Sequence, residues 1–308
     1  MNPAFSVIFF TTASGAGYGL IALFGIGAML GLLPDDRWFG GISLGVALAL
    51  VSAGLLSSTF HLGHPERAWR AFSQWRTSWL SREGVLAVLT FVPAGLLWLV
   101  WVLCGPGIWT MILGPIAAAL ALATVWATAM IYASLKAIDA WHTPLTPASY
   151  LLFAATGGTL AAAFFAATGS GAWVPIAIAG LLLLAAAWMV KLAWRNRLQR
   201  RPRSTPETAT GLGAIGKVRL FEPPHINDNY LTSEMGFRIA RKHASKLFRI
   251  AFAAGLVAPL ILALVALFLP AGGAAVLLAL AVLAFGAGVL VERWLFFAEA
   301  RHAVMNYY

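Results

Sequence analysis

Long apolar stretches alternate with short polar connections along the whole chain of 308 residues. Eight of these stretches are long enough to cross the hydrocarbon core of a bilayer, and they cover 6–33, 41–60, 84–104, 109–135, 148–169, 173–194, 247–269 and 273–296. Each should be a helix, because an open strand would leave backbone polar groups unpaired in lipid. We therefore predict an all-α polytopic membrane protein, a bundle of eight transmembrane helices that forms one integral membrane domain over 1–308.

The composition agrees with this fold and excludes several kinds of site. Hydrophobic residues make up 60% of the chain and charged residues 10%, far from the balance of soluble domains. The single cysteine, Cys104, excludes a disulfide framework, a four-cysteine zinc site and a self-contained iron–sulfur cluster. Glycines of the first span, such as Gly19 and Gly25, predict close contact between helices. The 13 tryptophans predict rings at the level of the lipid headgroups.

The basic residues predict an orientation. Of the 21 Lys and Arg residues, 20 fall in the connections between spans 2–3, 4–5 and 6–7, in the C-terminal segment, and at the adjoining span ends. Only Arg37 lies on the other side. The positive-inside rule therefore places both termini in the cytoplasm. The same rule accounts for the net charge of +10, so we expect no nucleic-acid partner.

The longest connection, 195–246, is basic and predicted to be cytoplasmic. A loop of this length in a compact protein is usually either functional or disordered. Within it, Thr232-Ser233-Glu234 could cap an amphipathic helix with Phe237, Ala240 and Ala244 on one face. The basic residues could meet anionic lipid or dock a cytoplasmic partner, and the sequence leaves both open.

The polar segment after the second span holds the candidate chemistry. It begins at His61-Leu62-Gly63-His64-Pro65-Glu66-Arg67 and continues to Glu83, where the third span opens. Titratable groups near a bilayer usually serve protons, ions or polar ligands. The span interiors lack Asp, Glu, Lys and Arg, which disfavours an ion-coupled transporter. No histidine lies mid-span, so we expect no haem in this chain. A zinc site from His61, His64 and Glu66 has no supporting spacing, so we expect no metal.

Quinone chemistry suits a polar cluster at the membrane edge, because the ring is apolar while its two oxygens need hydrogen-bonding partners. Oxidising a quinol releases two protons and two electrons, and a histidine with a nearby carboxylate can receive and pass on a proton. His61 closes the second span and Glu83 opens the third, so we predict that they meet as the catalytic pair. Gly63 would let the backbone approach a ring closely, and Arg67 would hold Glu83 or a quinone oxygen. The competing interpretation is that the arginines only set orientation and the histidines have no role.

Several motifs resemble the DmsC family, the membrane anchor subunits of dimethyl sulfoxide reductase-type complexes. They are 58–69, 79–83, 131–136, 141–150 and 292–297, and with the eight spans the resemblance covers essentially the whole chain. The family's HLG-x-x-x-R pattern falls on His61, Gly63 and Arg67, and the carboxylate that begins the next span falls on Glu83. Together with His64, which lies inside the pattern, these residues form the quinone-binding site that the resemblance implies.

The resemblance also implies partners. Such a protein would be a haem-free anchor that holds an iron–sulfur electron-transfer subunit and a molybdenum bis-pyranopterin catalytic subunit at the inner membrane of a bacterium. It would exchange electrons between menaquinone or ubiquinone and the nearest cluster, and would not act on the terminal substrate by itself. The direction stays open between a reductase of anaerobic respiration and a sulfite-oxidising complex, and we favour the second. The alternative function is a non-redox transporter or a pure scaffold subunit.

Overall fold

The computed structural model describes residues 4–60, 62–169, 172–198, 204–222 and 238–307, with only the backbone given for 238–242. In these ranges eight helices are long and apolar enough to span a membrane, which confirms the predicted all-α fold. They are α1 Phe5–Leu30, α2 Arg37–Thr59, α3 Trp79–Cys104, α4 Ile108–Ala133, α5 Leu145–Thr168, α6 Trp173–Leu198, α7 His243–Ala266 and α8 Ala271–Ala298.

Several helices run beyond the apolar stretches into the polar flanks, because capping residues there satisfy the first backbone N–H groups. Asp36 caps α2 through a hydrogen bond from the Trp38 backbone N–H, at 2.9 Å. Ser78 caps α3, which therefore begins at Trp79, five residues before the predicted span. As a result, Glu83 lies in the second turn of α3 and not at its first residue.

Helix α1 occupies the centre of the bundle and packs against α2, α4, α5 and α8. Its glycines allow backbones to touch: a Cβ at Gly19 would overlap the carbonyl oxygen of Ala154 in α5, and one at Gly25 would overlap that of Gly114 in α4. The predicted close contacts at these two glycines are confirmed. Helix α3 closes one flank of the bundle against α2 and α4, and α6, α7 and α8 form the other flank.

Some tryptophans are buried against other helices of the bundle. Trp188 and Trp194 are fully buried. The indole N–H of Trp188 donates to the carbonyl oxygen of Gly255 at 2.9 Å, and that of Trp194 donates to Ala140 at 2.8 Å. A buried indole needs such a partner, and these bonds join separate parts of the bundle.

One face of the bundle carries the longer connections and the C-terminal segment, and we call it the loop face. It comprises residue 60 and the segments 62–78, 134–144, 204–222 and 299–307. The backbone N–H of Ala303 donates to the carbonyl oxygen of Ala137 at 2.8 Å, and the Asn306 amide donates to that of Ser204 at 2.9 Å. These hydrogen bonds hold the C-terminal segment across the ends of the helices.

Part of the long basic connection can be followed on the loop face. A one-turn helix, Pro206–Thr210, begins at the capping residue Thr205. The predicted amphipathic helix would start at 232–234, which lies outside the described residues. A helix does cover Arg238–Phe252 and runs directly into the membrane-spanning part of α7.

Candidate functional site

A cavity of about 460 Å³ lies between α1, α2, α3 and α4 at the loop face. We call it the interfacial cavity. Its volume falls in the range of small-molecule sites. Apolar side chains from all four helices supply most of its wall, among them Phe10, Leu55, Leu80 and Ile131. The segment that follows α2 covers its outer side through Leu62, His64, Arg67 and Phe72.

Glu83 forms the buried polar end of the interfacial cavity. The residue is 5% exposed, and its Oε1 accepts a short hydrogen bond from the hydroxyl of Thr128 in α4. The same hydroxyl lies 3.0 Å from the carbonyl oxygen of Thr124. A threonine hydroxyl has one proton to donate and can also accept. Thr128 can therefore donate to ionised Glu83, or accept from protonated Glu83 while donating to Thr124.

His64, Glu66 and Arg67 form the exposed polar end of the interfacial cavity. Pro65 opens a 3-10 helix over Pro65–Gln74, with His64 as its capping residue. The Glu66 carboxylate lies between the other two side chains, 3.0 Å from Nδ1 of His64 and 3.7 Å from Nε of Arg67. All three side chains are more than half exposed, so each can turn toward a ligand.

The structure brings three predicted site residues, His64, Arg67 and Glu83, around one cavity. It pairs Arg67 with Glu66 and not with Glu83, which leaves a quinone oxygen as its predicted partner. Gly63 lies next to the cavity but is not part of its wall, and a Cβ there would meet no atom within 4 Å. His61 is outside the described residues, so its meeting with Glu83 stays a prediction.

Arg82 secures the polar segment to α3, a role that the sequence did not suggest. Its Nε donates to the carbonyl oxygen of Trp75 at 3.1 Å and its Nη2 to that of Arg76 at 2.7 Å. The guanidinium also lies 4.3 Å from the ring centre of Trp79. Because Arg82 directly precedes Glu83, these contacts fix the start of α3 and with it the position of the carboxylate.

A buried ion cluster lies on the other flank of the bundle, and the sequence analysis missed it. Nζ of Lys191 in α6 is 2.5 Å from Oε1 of Glu292 in α8, and Nε of Arg293 is 3.6 Å from Oε2 of the same glutamate. None of these side chains is more than 2% exposed. The prediction that the span interiors carry no charge was therefore wrong. The available signal was Glu292, an acidic residue well inside an apolar stretch.

Aromatic rings enclose the ion cluster. The Lys191 ammonium lies 3.6 Å from the ring centre of Trp194, and the Arg293 guanidinium lies 3.6 Å from that of Tyr150. A cation over a ring face is stabilised by the ring quadrupole. The cluster therefore keeps an excess positive charge inside the bundle, shielded from the surrounding solvent.

Comparisons with known proteins cover the length of the bundle. The family model described as DMSO reductase anchor subunit (DmsC) matches residues 1–298. Over the whole chain there is 37% identity to the C subunit of sulfite dehydrogenase from Allochromatium vinosum, of which 99% is covered. A second relative is the C component of the anaerobic dimethyl sulfoxide reductase of Escherichia coli K12, 30% identical over 36% of this chain and 39% of that protein. The similarity thus includes all eight membrane helices.

Proposed function

The chain belongs to the DmsC family and is a membrane anchor subunit of the kind found in DMSO reductase and sulfite dehydrogenase complexes, and from this premise we propose that it performs the quinone half-reaction of such a complex. The observation that carries the proposal is the interfacial cavity, which has apolar walls, a buried carboxylate at one end and an exposed arginine and histidine at the other. An apolar ring with two opposed oxygens matches that arrangement. A site of this kind also lies where a lipid-soluble substrate can enter from the membrane.

The residues would divide the chemistry between the two ends of the cavity. When a quinol is oxidised, each O–H bond breaks, the two electrons pass to an iron–sulfur cluster of a partner subunit, and two protons must be accepted. Glu83 would accept one proton, because Thr128 can serve both of its protonation states. We assign the second proton to His61, which precedes His64 by three residues in the sequence, and the binding of the second oxygen to Arg67. Quinone reduction would use the same groups in reverse.

We propose the loop face as the docking surface for the partner subunits. Its segments carry seven of the 21 basic residues of the chain, Arg67, Arg70, Arg76, Lys136, Lys217, Arg219 and Arg301, and the interfacial cavity lies directly beneath it. An iron–sulfur subunit docked there would bring its nearest cluster close to a quinone in the cavity, and a molybdenum bis-pyranopterin subunit would be bound through it. By the positive-inside rule this face is cytoplasmic, in the inner membrane of a bacterium.

The relatives support a complex that oxidises its terminal substrate and reduces quinone. The similarity to the sulfite dehydrogenase protein spans the full chain, whereas that to the DMSO reductase protein is limited to about a third of it. We therefore propose that electrons run from sulfite, through the partner subunits, to quinone. Assaying the purified complex with sulfite as donor and with a sulfoxide as acceptor tests this direction. Activity with the sulfoxide but not with sulfite would show that electrons run in the opposite direction.

The quinone site is tested by Glu83→Gln in the complete complex. Glutamine has nearly the same shape but cannot accept a proton, so quinone-linked turnover should fall by about 100-fold or more. Electron transfer from the terminal substrate to an artificial acceptor at the partner subunits should be unchanged, which would show that the complex is assembled.

The matched control is Glu222→Gln, which makes the same change at an exposed residue of the loop face. It should leave quinone-linked turnover at the wild-type rate. Normal turnover of Glu83→Gln would move the site elsewhere, and a protein that acts only as a scaffold would give that result.

A further inference from the structure

A second cavity, of about 200 Å³, lies behind Glu83 between α1, α4, α5 and α8. We call it the inner cavity. Thr128 connects the two cavities, because its side chain lines the inner cavity and its hydroxyl donates to Glu83, which lines the interfacial cavity. At another part of its wall the inner cavity is lined by Arg293 of the buried ion cluster. It therefore lies between the proposed quinone site and the ion cluster.

Some residues in the wall of the inner cavity have buried polar atoms without protein partners among the described residues. The hydroxyl of Tyr18 and Nη1 of Arg293 are buried and have no hydrogen-bond partner within the part of the chain that the structure describes. Both residues belong to the cavity wall, as do Thr11, Thr12 and Ser14 of α1. Buried polar groups of this kind are normally satisfied by bound water. The cavity has room for several waters, since one occupies about 30 Å³ in the liquid.

Ion pairs continue from the inner cavity to the loop face. Arg293 is paired with Glu292, and Glu292 with Lys191. One helical turn beyond Lys191, Arg195 pairs with Glu299 at 3.0 Å, and these side chains are 20% and 11% exposed. Residues four and seven apart lie on the same side of a helix. The inner and outer pairs are therefore stacked along α6 and α8, and the outer pair meets solvent.

We propose that the inner cavity is a water site that carries a proton between Glu83 and the loop face by way of the buried ion cluster. This inference rests on the proposed quinone function. A ring seated in the interfacial cavity would cover the side of Glu83 that faces that cavity, and Glu83 is already almost fully buried. The proton that Glu83 gives to a quinone, or accepts from a quinol, then has its free route on the opposite side, past Thr128.

Each step is a proton transfer that leaves no net change in the relay. The O–H bond of protonated Glu83 breaks and the Thr128 hydroxyl accepts its proton while releasing its own to a water of the inner cavity. Arg293 orients this water through its N–H groups and holds the Glu292 carboxylate beside it. Glu292 accepts a proton from this water and passes it toward Glu299 and the solvent, so that the water is again neutral and both Glu83 and Glu292 are again ionised. Quinone reduction would run the same steps inward.

Two variants test the relay in the purified complete complex, with quinone-linked kcat, KM and the solvent deuterium isotope effect as readouts. Thr128→Val removes the connecting hydroxyl, and Gly286→Leu fills the inner cavity, since a Cβ at Gly286 meets no atom within 4 Å. Each should lower kcat about tenfold or more, raise the isotope effect and leave KM within about twofold, because proton transfer becomes limiting. Thr128→Ser, which keeps a hydroxyl, should restore kcat.

Matched controls make the same changes away from the relay. Thr156→Val alters a buried threonine of α5 whose hydroxyl donates to the carbonyl oxygen of Leu152, and Gly95→Leu alters a helix glycine whose Cβ would also meet open space. Both should keep wild-type kcat and isotope effect.

The outcomes separate the relay from the quinone site itself. If Glu83→Gln is inactive while Thr128→Val and Gly286→Leu behave as their controls, the relay is overturned and the quinone function stands. If Thr128→Val is slow and Gly286→Leu is normal, the water site is overturned. If Glu83→Gln is fully active, the proposed function fails first.

Discussion

The buried ion cluster predicts a strong asymmetry between two charge-removing substitutions. Glu292 is a single anion between two cations, Lys191 at 2.5 Å and Arg293 at 3.6 Å. Lys191→Met leaves a neutral pair, Glu292 with Arg293. Glu292→Gln leaves two buried cations without a counterion. We therefore expect Glu292→Gln to destabilise the protein far more than Lys191→Met, although each removes one charge.

The distances set the scale of the difference. At an effective dielectric constant of about 20, the attraction of Glu292 for Lys191 is about 7 kcal/mol and that for Arg293 about 5 kcal/mol. The cost of desolvating the ions cancels most of this, and breaking a buried pair typically costs about 3–5 kcal/mol. Glu292→Gln should lie at the top of that range. Lys191→Met should cost about 1–3 kcal/mol, the usual cost of one lost charged hydrogen bond.

The assay is unfolding of the purified full-length protein in mixed micelles, followed by tryptophan fluorescence as the denaturing detergent is increased. The control is Glu299→Gln, the same substitution in the outer pair, where solvent reaches both partners. It should cost about 1 kcal/mol or less. Equal costs for Glu292→Gln and Lys191→Met, or a larger cost for Lys191→Met, would refute the reasoning that Glu292 is shared between two cations.

Three further predictions concern other parts of the chain. Gly19→Ala should lower Tm, because its Cβ would overlap the Ala154 carbonyl oxygen, whereas Gly95→Ala should not, because its Cβ meets open space; equal Tm values would contradict the close contact. Arg67→Ala should raise KM for quinone about tenfold with little change in kcat, as expected for a residue that binds one oxygen; steady-state kinetics of the complex would show it, and an unchanged KM would remove Arg67 from the site. Burial raises the pKa of the Glu299 carboxyl above its ordinary value of 4.5, so the folded state prefers the protonated form and loses stability as pH rises through the range above 4.5. Glu299→Gln should remove that loss and flatten the dependence of Tm on pH, and an unchanged slope would count against it.

The membrane spans could be predicted from the sequence because hydrophobic length is a local property. Each apolar stretch had to be a helix wherever it lay in the bundle, since lipid offers no other partner for its backbone. The helix ends were less predictable: Ser78 and Asp36 extend α3 and α2 into residues that a hydropathy criterion counts as polar. Local capping, not hydrophobicity, decides where these helices begin.

The candidate site could be predicted only in part, because contact between helices decides the role of one of its residues. His64, Arg67 and Glu83 stand out because charged residues are rare in this protein, and two of them follow the same span. Thr128 does not stand out, since a threonine in a membrane helix usually bonds to its own backbone. Only the packing of α3 against α4 turns it into the partner of Glu83.

Lys191 and Arg293 were overlooked because of their place in the sequence. Both lie near the loop-face ends of their helices, where a basic residue normally sets orientation and extends into water. Their burial depends on α5, which packs against both α6 and α8 and supplies Tyr150 beneath the guanidinium. That arrangement cannot be read from either helix alone.

The small residues of α1 serve two different purposes along its length. Toward its middle and far end, Gly19 and Gly25 are required by packing, because any side chain would overlap a neighbouring backbone. Nearer the loop face, Gly15 is not: a Cβ there would meet Ala154 at an ordinary contact distance of 3.9 Å. Gly15 lines the inner cavity together with Thr12 and Ser14. Its missing side chain therefore preserves space inside the bundle instead of bringing helices together, and that space lies beside Thr128, the hydrogen-bond partner of Glu83.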